Sequence, residues 1–230
     1  MKNIIIVPAK GESKRLKDKN WLKIGGETLF ERALYRARRS GLGEVAFVSD
    51  SPAMVERVEK KNFLSDYVID LPEGYSGKRA VNSCVYALER LKRAGESFDN
   101  IIVTLPTSPL ATFQNLQEAY LLFANNERNV LGSFTEVKGR PKLWTNRNIL
   151  FPGETVEIEI KPILRPLSRL VWKDNGAVYI SNVSHFVATQ EWFSNWVVPY
   201  FMNEIEGIDI DTELDYLIAK TIYETKGIVD

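Results

Sequence analysis

The run Ile4-Ile5-Ile6-Val7 constrains this chain more than any other feature. Consecutive β-branched residues favour an extended backbone. An apolar run with no polar residue at alternate positions is the pattern of a strand buried on both faces. Pro8 has no N–H to give to a ladder and is expected to end the strand. The chain then opens into a polar 9–20 loop that carries Gly11, Ser13, Lys14, Arg15, Lys17, Lys19 and Asn20. A buried strand feeding a small, cation-rich loop suits a polyphosphate, because backbone N–H groups can approach closely and the cations supply countercharge. The loop has neither the GxxxxGK[ST] nor the GxGxxG pattern. On these residues alone, a solvated basic loop is the alternative.

Beyond the loop, the chain repeats strand, loop and helix. Leu29, Phe30, Ala33, Leu34 and Ala37 have helical spacing over 28–39, with Gly41 as a stop. A second short strand, 44–48, ends at Ser49-Asp50. Ser51 can cap a helix that has Pro52 at its first position and runs to about residue 61. A third strand spans 67–69, and a loop holding Gly74, Gly77, Lys78 and Arg79 leads to a helix through Val81, Cys84, Val85, Leu88 and Leu91. The fourth strand, 100–105, is mostly apolar, is expected to be central, and ends at Pro106-Thr107-Ser108-Pro109. A helix over about 114–125 comes next. This alternation marks a parallel sheet with helices on both faces, and 230 residues suffice for one α/β domain with an insertion.

The second half is less regular. A strand is expected over 130–137. The segment between 139 and 170, with Pro141, Pro152, Pro162 and Pro166, is too long for a plain connection. It reads as an insertion at about 139–172 that covers a site or makes a subunit contact. Asn175-Gly176 signals a turn into a strand at 177–180. A helix is expected within 183–196, with Val197-Val198 leading out of it before Pro199. The last helix runs to about residue 224, capped by Asp211 or Thr212, with Glu213 and Asp215 at its positive end.

Composition narrows the function classes. Lys+Arg and Asp+Glu both number 30, so the chain is neutral and any anion site must be local; a nucleic-acid coat is disfavoured. The single cysteine, Cys84, excludes an internal disulfide and reads as a buried core thiol. With His185 alone, no His-rich metal site can be built. No stretch is apolar for long enough to span a bilayer, and no signal-peptide pattern opens the chain. A soluble, cytoplasmic protein with no membrane partner is expected.

In open parallel sheets ligands bind at the carboxyl ends of strands. Three polar strand ends fall there: the 9–20 loop, Ser49-Asp50, and Pro106-Thr107-Ser108. Near the C-terminus, Ile208-Asp209-Ile210-Asp211 alternates apolar and acidic residues. If the segment is extended, both carboxylates share one side, a pairing that suits Mg²⁺ beside phosphates; the alternative is that the acids only cap the next helix. Lys142, Arg165, Arg169 and Lys173 put cations in or near the insertion, where an arginine could hold a carboxylate with two parallel bonds; for Arg169 and Lys173 ordinary surface charge is the preferred reading. Trp192-Phe193 with Trp196 read as core or subunit contact rather than a substrate wall.

Taken together, the motifs Val7-Pro8-Ala9…Ser13-Lys14-Arg15…Lys19-Asn20, Ser49-Asp50, Pro106-Thr107-Ser108-Pro109-Leu110, Asn175-Gly176-Ala177-Val178-Tyr179-Ile180 and Ile208-Asp209-Ile210-Asp211-Thr212-Glu213-Leu214-Asp215 resemble the acylneuraminate (CMP-sialic acid) cytidylyltransferases over nearly the whole chain. The resemblance implies a Rossmann-like α/β fold with a mostly parallel sheet and an inserted dimerisation segment in a homodimer. It implies transfer of CMP from CTP to an acidic keto sugar of the nonulosonate type, with release of pyrophosphate and Mg²⁺ as cofactor. Carried over, Pro8, Ala9, Lys10, Gly11, Ser13, Lys14, Arg15 and Asn20 contact the nucleotide. Lys19, Asp209 and Asp211 form the catalytic set, Asp209 and Asp211 hold the metal, and Thr107, Ser108, Lys142, Arg165 and Tyr179 face the sugar. The chain departs from the family pattern at Lys10, where Arg is usual, at Leu105, where Gln is usual, and at Ala111, where Arg is usual. It departs again in Leu71-Pro72…Ser76-Gly77-Lys78-Arg79, which replaces an Arg-Pro…Asp-Thr stretch. The lost side chains leave open the same reaction with another nucleoside triphosphate or sugar, or a non-catalytic relative that binds a nucleotide sugar.

Overall fold

The computed structural model describes residues 1–13, 15–75, 79–126, 129–136, 172–193 and 197–226. The Ile-rich run forms strand β1 (Asn3–Ala9), buried along its whole length. Its side chains divide between two cores by simple alternation. Ile5 and Val7 join a cluster with Phe30, Ala33, Leu34, Met54, Leu116 and Phe123, whereas Ile4 and Ile6 join one with Val81, Cys84, Leu88 and Phe186. Each fully buried side chain of this size contributes about 1.5–3 kcal/mol.

The helices that supply those residues are α1 (Leu29–Ser40), α2 (Pro52–Lys60) and α4 (Phe113–Ala124) on one face, and α3 (Ala80–Arg93) and α5 (Val183–Thr189) on the other. Among the described residues the sheet has seven strands in the order β5-β4-β1-β6-β8-β7-β9, with β4 (Glu44–Ser49), β5 (Tyr67–Asp70), β6 (Asn100–Val103), β7 (Val130–Glu136), β8 (Trp172–Asn182) and β9 (Val198–Met202). Strand β8 runs antiparallel to both its neighbours, and the other pairings are parallel. A small hairpin, β2 (Lys23–Ile24) and β3 (Glu27–Thr28), precedes α1, and α6 (Glu213–Lys226) closes the chain.

The capping signals act as expected. Ser51 Oγ accepts from Met54 N with Pro52 at the first helical position, and Thr212 Oγ1 accepts from Asp215 N while an Asp215 carboxylate oxygen accepts from Thr212 N at 2.7 Å. At α1 the Thr28–Glu31 capping box adds about 1 kcal/mol. Its Glu31 is fully buried; burial alone would raise its carboxyl pKa, but bonds from Arg57, Thr28 and Lys61 bring it down to about 2. Cys84 is a buried thiol, pushed up by desolvation.

Four local expectations are corrected. Pro8 lies inside β1, in register with Val48 of β4. Ile6 O bonds Thr104 N on the β6 side, so alternation turns Pro8 N to that same side, past the last β1–β6 pair, Ile6 with Val103, where the ladder has ended. Asn175-Gly176 is not a turn before a strand but lies within β8, where the pairing with β7 shifts register and Gly176 takes φ +70°. The run expected to lead out of the helix enters a strand instead: Val198 and Pro199 open edge strand β9, where a missing N–H is tolerated. The 208–211 segment is irregular rather than a strand. Trp192 and Phe193 pack on the sheet, Trp192 stacked at 4.5 Å and 11° on Tyr179, and Trp196 lies outside the described residues. The insertion at about 139–172 also lies outside them, except Trp172.

Candidate active site

The ends of β1, β4 and β6 meet at one carboxyl edge of the sheet, and the 9–20 loop crosses it. Gly11 N donates to Asp50 Oδ1 at 2.7 Å. A Cβ on Gly11 would stand 2.8 Å from the Ser51 Cβ, so only glycine lets the loop lie this close to the start of α2. Asn20 is buried; its Nδ2 donates to Lys10 O at 2.8 Å, while its Oδ1 is buried without a hydrogen-bond partner among the described residues. A buried acceptor left open in a loop of this kind points to a donor brought by a ligand or by water. Pro8 and Ala9 are buried at the strand end, Lys10, Gly11 and Ser13 are half-buried, and Lys14 lies outside the described residues.

The far end of the same loop reaches the 208–211 segment, 191 residues along the chain. Lys19 Nζ donates to Ile210 O at 2.6 Å and lies 3.4 Å from Asp211 Oδ1, and Arg15 Nη1 pairs with Asp211 Oδ2 at 2.8 Å. The Arg15 side chain is 72% exposed, so its pair adds little to stability, whereas Lys19 is 12% exposed and held in place. A small third core fixes this junction: Ile24, Leu29, Leu110, Ile210 and Ala219 are buried together, with Leu16, Leu22, Ile208 and Tyr223 packed around them. Ile210 inserts into that cluster and so leaves Asp209 and Asp211 on either side of it.

Asp209 is the perturbed group of the site. Burial raises its pKa and the charge of Asp211 adds to the effect, while a hydrogen bond with Thr107 and the charges of Lys19 and Lys173 oppose it; the net shift is upward. Thr107 fixes this segment from its backbone as well, since its carbonyl accepts from Ile210 N at 2.8 Å. Ser108 is fully buried and donates to Asn175 O at 3.1 Å, so its hydroxyl braces β8. Tyr179 is also enclosed. Its hydroxyl donates to both oxygens of Asp174, at 2.9 and 2.7 Å, and burial together with that carboxylate pushes its pKa far up. Lys142 and Arg165 lie outside the described residues. The structure therefore gathers Lys19, Arg15, Asp209, Asp211 and Thr107 at one junction and sets Ser108 and Tyr179 beneath it.

The residues that sequence reasoning missed are Arg32, Arg36 and Asp174. Both arginines are buried on α1 and clasp the loop after β6. Arg32 reaches Pro109 O and Ile24 O, and its guanidinium lies 4.4 Å from the Tyr223 ring. A signal was present: 32 and 36 stand three and seven positions after Leu29, in line with the apolar stripe, where a solvated arginine has no place. Leu105, at the family's glutamine position, packs toward Gly176, whose added Cβ would lie 3.1 Å from Leu105 Cδ1. Ala111 is fully buried in the core.

Comparisons with known proteins give the family and the fold. A family model described as cytidylyltransferase matches residues 4–147. The CMP-N,N'-diacetyllegionaminic acid synthase of Legionella pneumophila is 22% identical over 97% of each chain. The pseudaminic acid cytidylyltransferase of Campylobacter jejuni is 27% identical, also over 97% of each. Among solved structures, a CMP:2-keto-3-deoxy-manno-octonic acid synthetase complexed with CTP superposes with a TM-score of 0.71 at 14% identity, over 98% of this chain and 100% of that one, which shows a shared fold. With a family match over more than half its length and a site assembled at the expected sheet edge, this chain belongs to the cytidylyltransferase family.

Proposed function

We propose that this protein transfers CMP from CTP to an acidic nonulosonate sugar and releases pyrophosphate. The observation that carries the reading is the meeting of the 9–20 loop with the acidic segment, Lys19 on Ile210 O and Arg15 on Asp211, at the carboxyl edge of the sheet. The names of the Legionella and Campylobacter relatives support the acceptor class.

In this reading the anomeric hydroxyl of the sugar gives up its proton to solvent, its oxygen bonds to the α-phosphorus of CTP, the bond to the bridging oxygen breaks, and pyrophosphate leaves with that oxygen. Such a reaction needs positioning and neutralised charge more than covalent help. Backbone N–H groups and cations of the 9–20 loop, with Asn20 Oδ1 as an acceptor, bind and orient the nucleotide. Lys19 and Arg15 offset charge on the phosphates. The Thr107 carbonyl anchors the acidic segment at Ile210 N, and the loop that carries Thr107 and Ser108 forms the floor on the sugar side.

Asp209 and Asp211 fit Mg²⁺. They are hard oxygen donors with interacting charges, one of them half-buried and raised in pKa, and a cation held by them would relieve both effects. When bound there, Mg²⁺ would supply Lewis-acid stabilisation of the phosphate oxygens. The insertion, with Lys142 and Arg165, is proposed to bring cations to the sugar carboxylate within a homodimer, and dependence on CTP goes with a cytoplasmic setting.

The test is pyrophosphate release with Mg²⁺, screening CTP, UTP, GTP and ATP against a panel of nonulosonates. Release with CTP and one sugar acid, abolished by EDTA and restored by Mg²⁺, is expected. Leu105 favours one second reading, the same transfer with a different base or sugar, and release with another nucleotide would establish it in place of the first.

A further inference from the structure

The buried guanidinium of Arg36 is built into the segment that carries Thr107 and Ser108. It is 1% exposed, and its nitrogens reach four residues of the segment after β6. Nε and Nη2 donate to Thr104 Oγ1 at 3.0 and 2.6 Å, Nη2 to Leu105 O at 3.0 Å, and Nη1 to Ser108 O at 2.7 Å and Ala111 O at 3.2 Å. The planar fork thus closes a ring of acceptors around the Pro106-Thr107 turn from below. A lysine, with one point charge and three donors, cannot reproduce that geometry.

The turn held in this way is the hinge on which two other parts of the site hang. Thr107 O accepts from Ile210 N at 2.8 Å, so the acidic segment takes its position from the turn. Ser108 Oγ donates to Asn175 O, which ties the turn to the irregular part of β8 that presents Asp174 to the Tyr179 hydroxyl. The fork's bonds to Thr104, Leu105, Ser108 and Ala111 all end on the turn segment that carries Thr107.

We infer that Arg36 is a positioning residue for nucleotidyl transfer: through the 104–111 turn it sets the place of Asp209 and the floor of the sugar site. This rests on the proposed function for its kinetic consequence, but not for its structural one. In Arg36→Lys the geometry predicts a kcat lowered about 100-fold, the scale of an ångström-sized misplacement. The KM for the sugar should rise, because the turn carries the acidic segment and the sugar floor.

The experiment pairs kinetics with hydrogen exchange on the full chain of the parent, Arg36→Lys, and a control, Val58→Ala, a core residue of α2 that makes none of the Arg36 bonds. In Arg36→Lys, exchange in 104–111 and at the Ile210 amide should be at least about tenfold faster, with protection in β4 and α2 unchanged. Val58→Ala should lower Tm without changing kcat. Unchanged exchange at Ile210, or a kcat retained in Arg36→Lys, overturns the inference. So does loss of protection throughout Arg36→Lys, which would make Arg36 an ordinary core residue, and so does an equal kcat loss in Val58→Ala. If the parent releases no pyrophosphate, the proposed function falls, and the exchange data still decide whether Arg36 positions the acidic segment.

Discussion

The sheet and the junction beside it are built by different physics. Around β1 the contacts are apolar and continuous, and Ile4, Ile5, Ile6 and Val7 are fully buried between helices. At the junction a small cluster centred on Ile210 is combined with hydrogen bonds to backbone carbonyls from Lys19, Arg32 and Arg36. The first arrangement resists unfolding and tolerates small shifts of side chains. The second gives little bulk stability but fixes positions, because each bond has a direction as well as an energy. Damage to the sheet should therefore appear in stability, and damage to the junction in turnover.

The widest separation is expected for Asp211→Ala. Removing this carboxylate should lower kcat by about 1,000-fold or more, the scale of lost preorganised charge stabilisation, and move Tm by little because its ion pair with Arg15 is exposed. A kinetic assay with a thermal melt checks both halves. A variant that turned over at the parental rate would remove Asp211 from the catalytic set.

Next comes a matched pair of cavities. Ile5→Ala and Ile210→Ala each delete a fully buried side chain, at a cost of about 2–5 kcal/mol. Ile5→Ala should lie at the upper end of that range and keep its kcat per folded molecule. Ile210→Ala should lie at the lower end and lose kcat, because Asp209 and Asp211 flank the vacated position. Denaturant midpoints and kcat on the same samples would measure this, and equal kcat in the two variants would erase the contrast.

Glu31 sharpens the comparison from the sheet side. Its folded pKa lies below the unfolded value, so the group contributes stability that is fully present above about pH 4.5 and is lost as pH falls through about 2. The contribution is on the order of 2–3 kcal/mol at neutral pH. Glu31→Gln should be destabilised at pH 7 by that amount, with the gap to the parent closing between pH 4.5 and 2 in urea titrations. A gap independent of pH would mean that the ionised carboxylate is not what Arg57 and Lys61 stabilise.

The smallest effect is expected at Gly11→Ala. The added methyl meets the Ser51 Cβ and must displace the loop, raising the KM for CTP by about tenfold with no change in Tm. An unchanged KM would separate this loop from nucleotide binding.

The same contrast explains what could be read in advance. The sheet was legible because apolar periodicity is local: the β1 run, the stripe on α1 and the capping serine of α2 each carry their own signal within a few residues. The acidic pair and the basic loop were legible as motifs, but their meeting across 191 residues followed only from the family resemblance, since physically it depends on Ile210 entering a third core. Arg32 and Arg36 were hidden for a related reason. Their partners are main-chain carbonyls, and a carbonyl has no letter in a sequence. Asn175-Gly176 gave a true signal of positive φ, but the sequence could not tell a bulge inside β8 from a turn before it, because the difference lies in the pairing with β7.

The central claim is that the basic loop and the acidic segment together make a site for nucleotidyl transfer to a sugar acid. The most direct measurement is a mass-balance assay: CTP, Mg²⁺ and a nonulosonate are incubated with the protein, the nucleotide product is identified by mass, and pyrophosphate is counted in the same sample. One CMP-sugar formed for each pyrophosphate released is the predicted result. Pyrophosphate without a CMP-sugar would show hydrolysis instead of transfer, and a sugar nucleotide carrying another base would contradict the assignment of CTP.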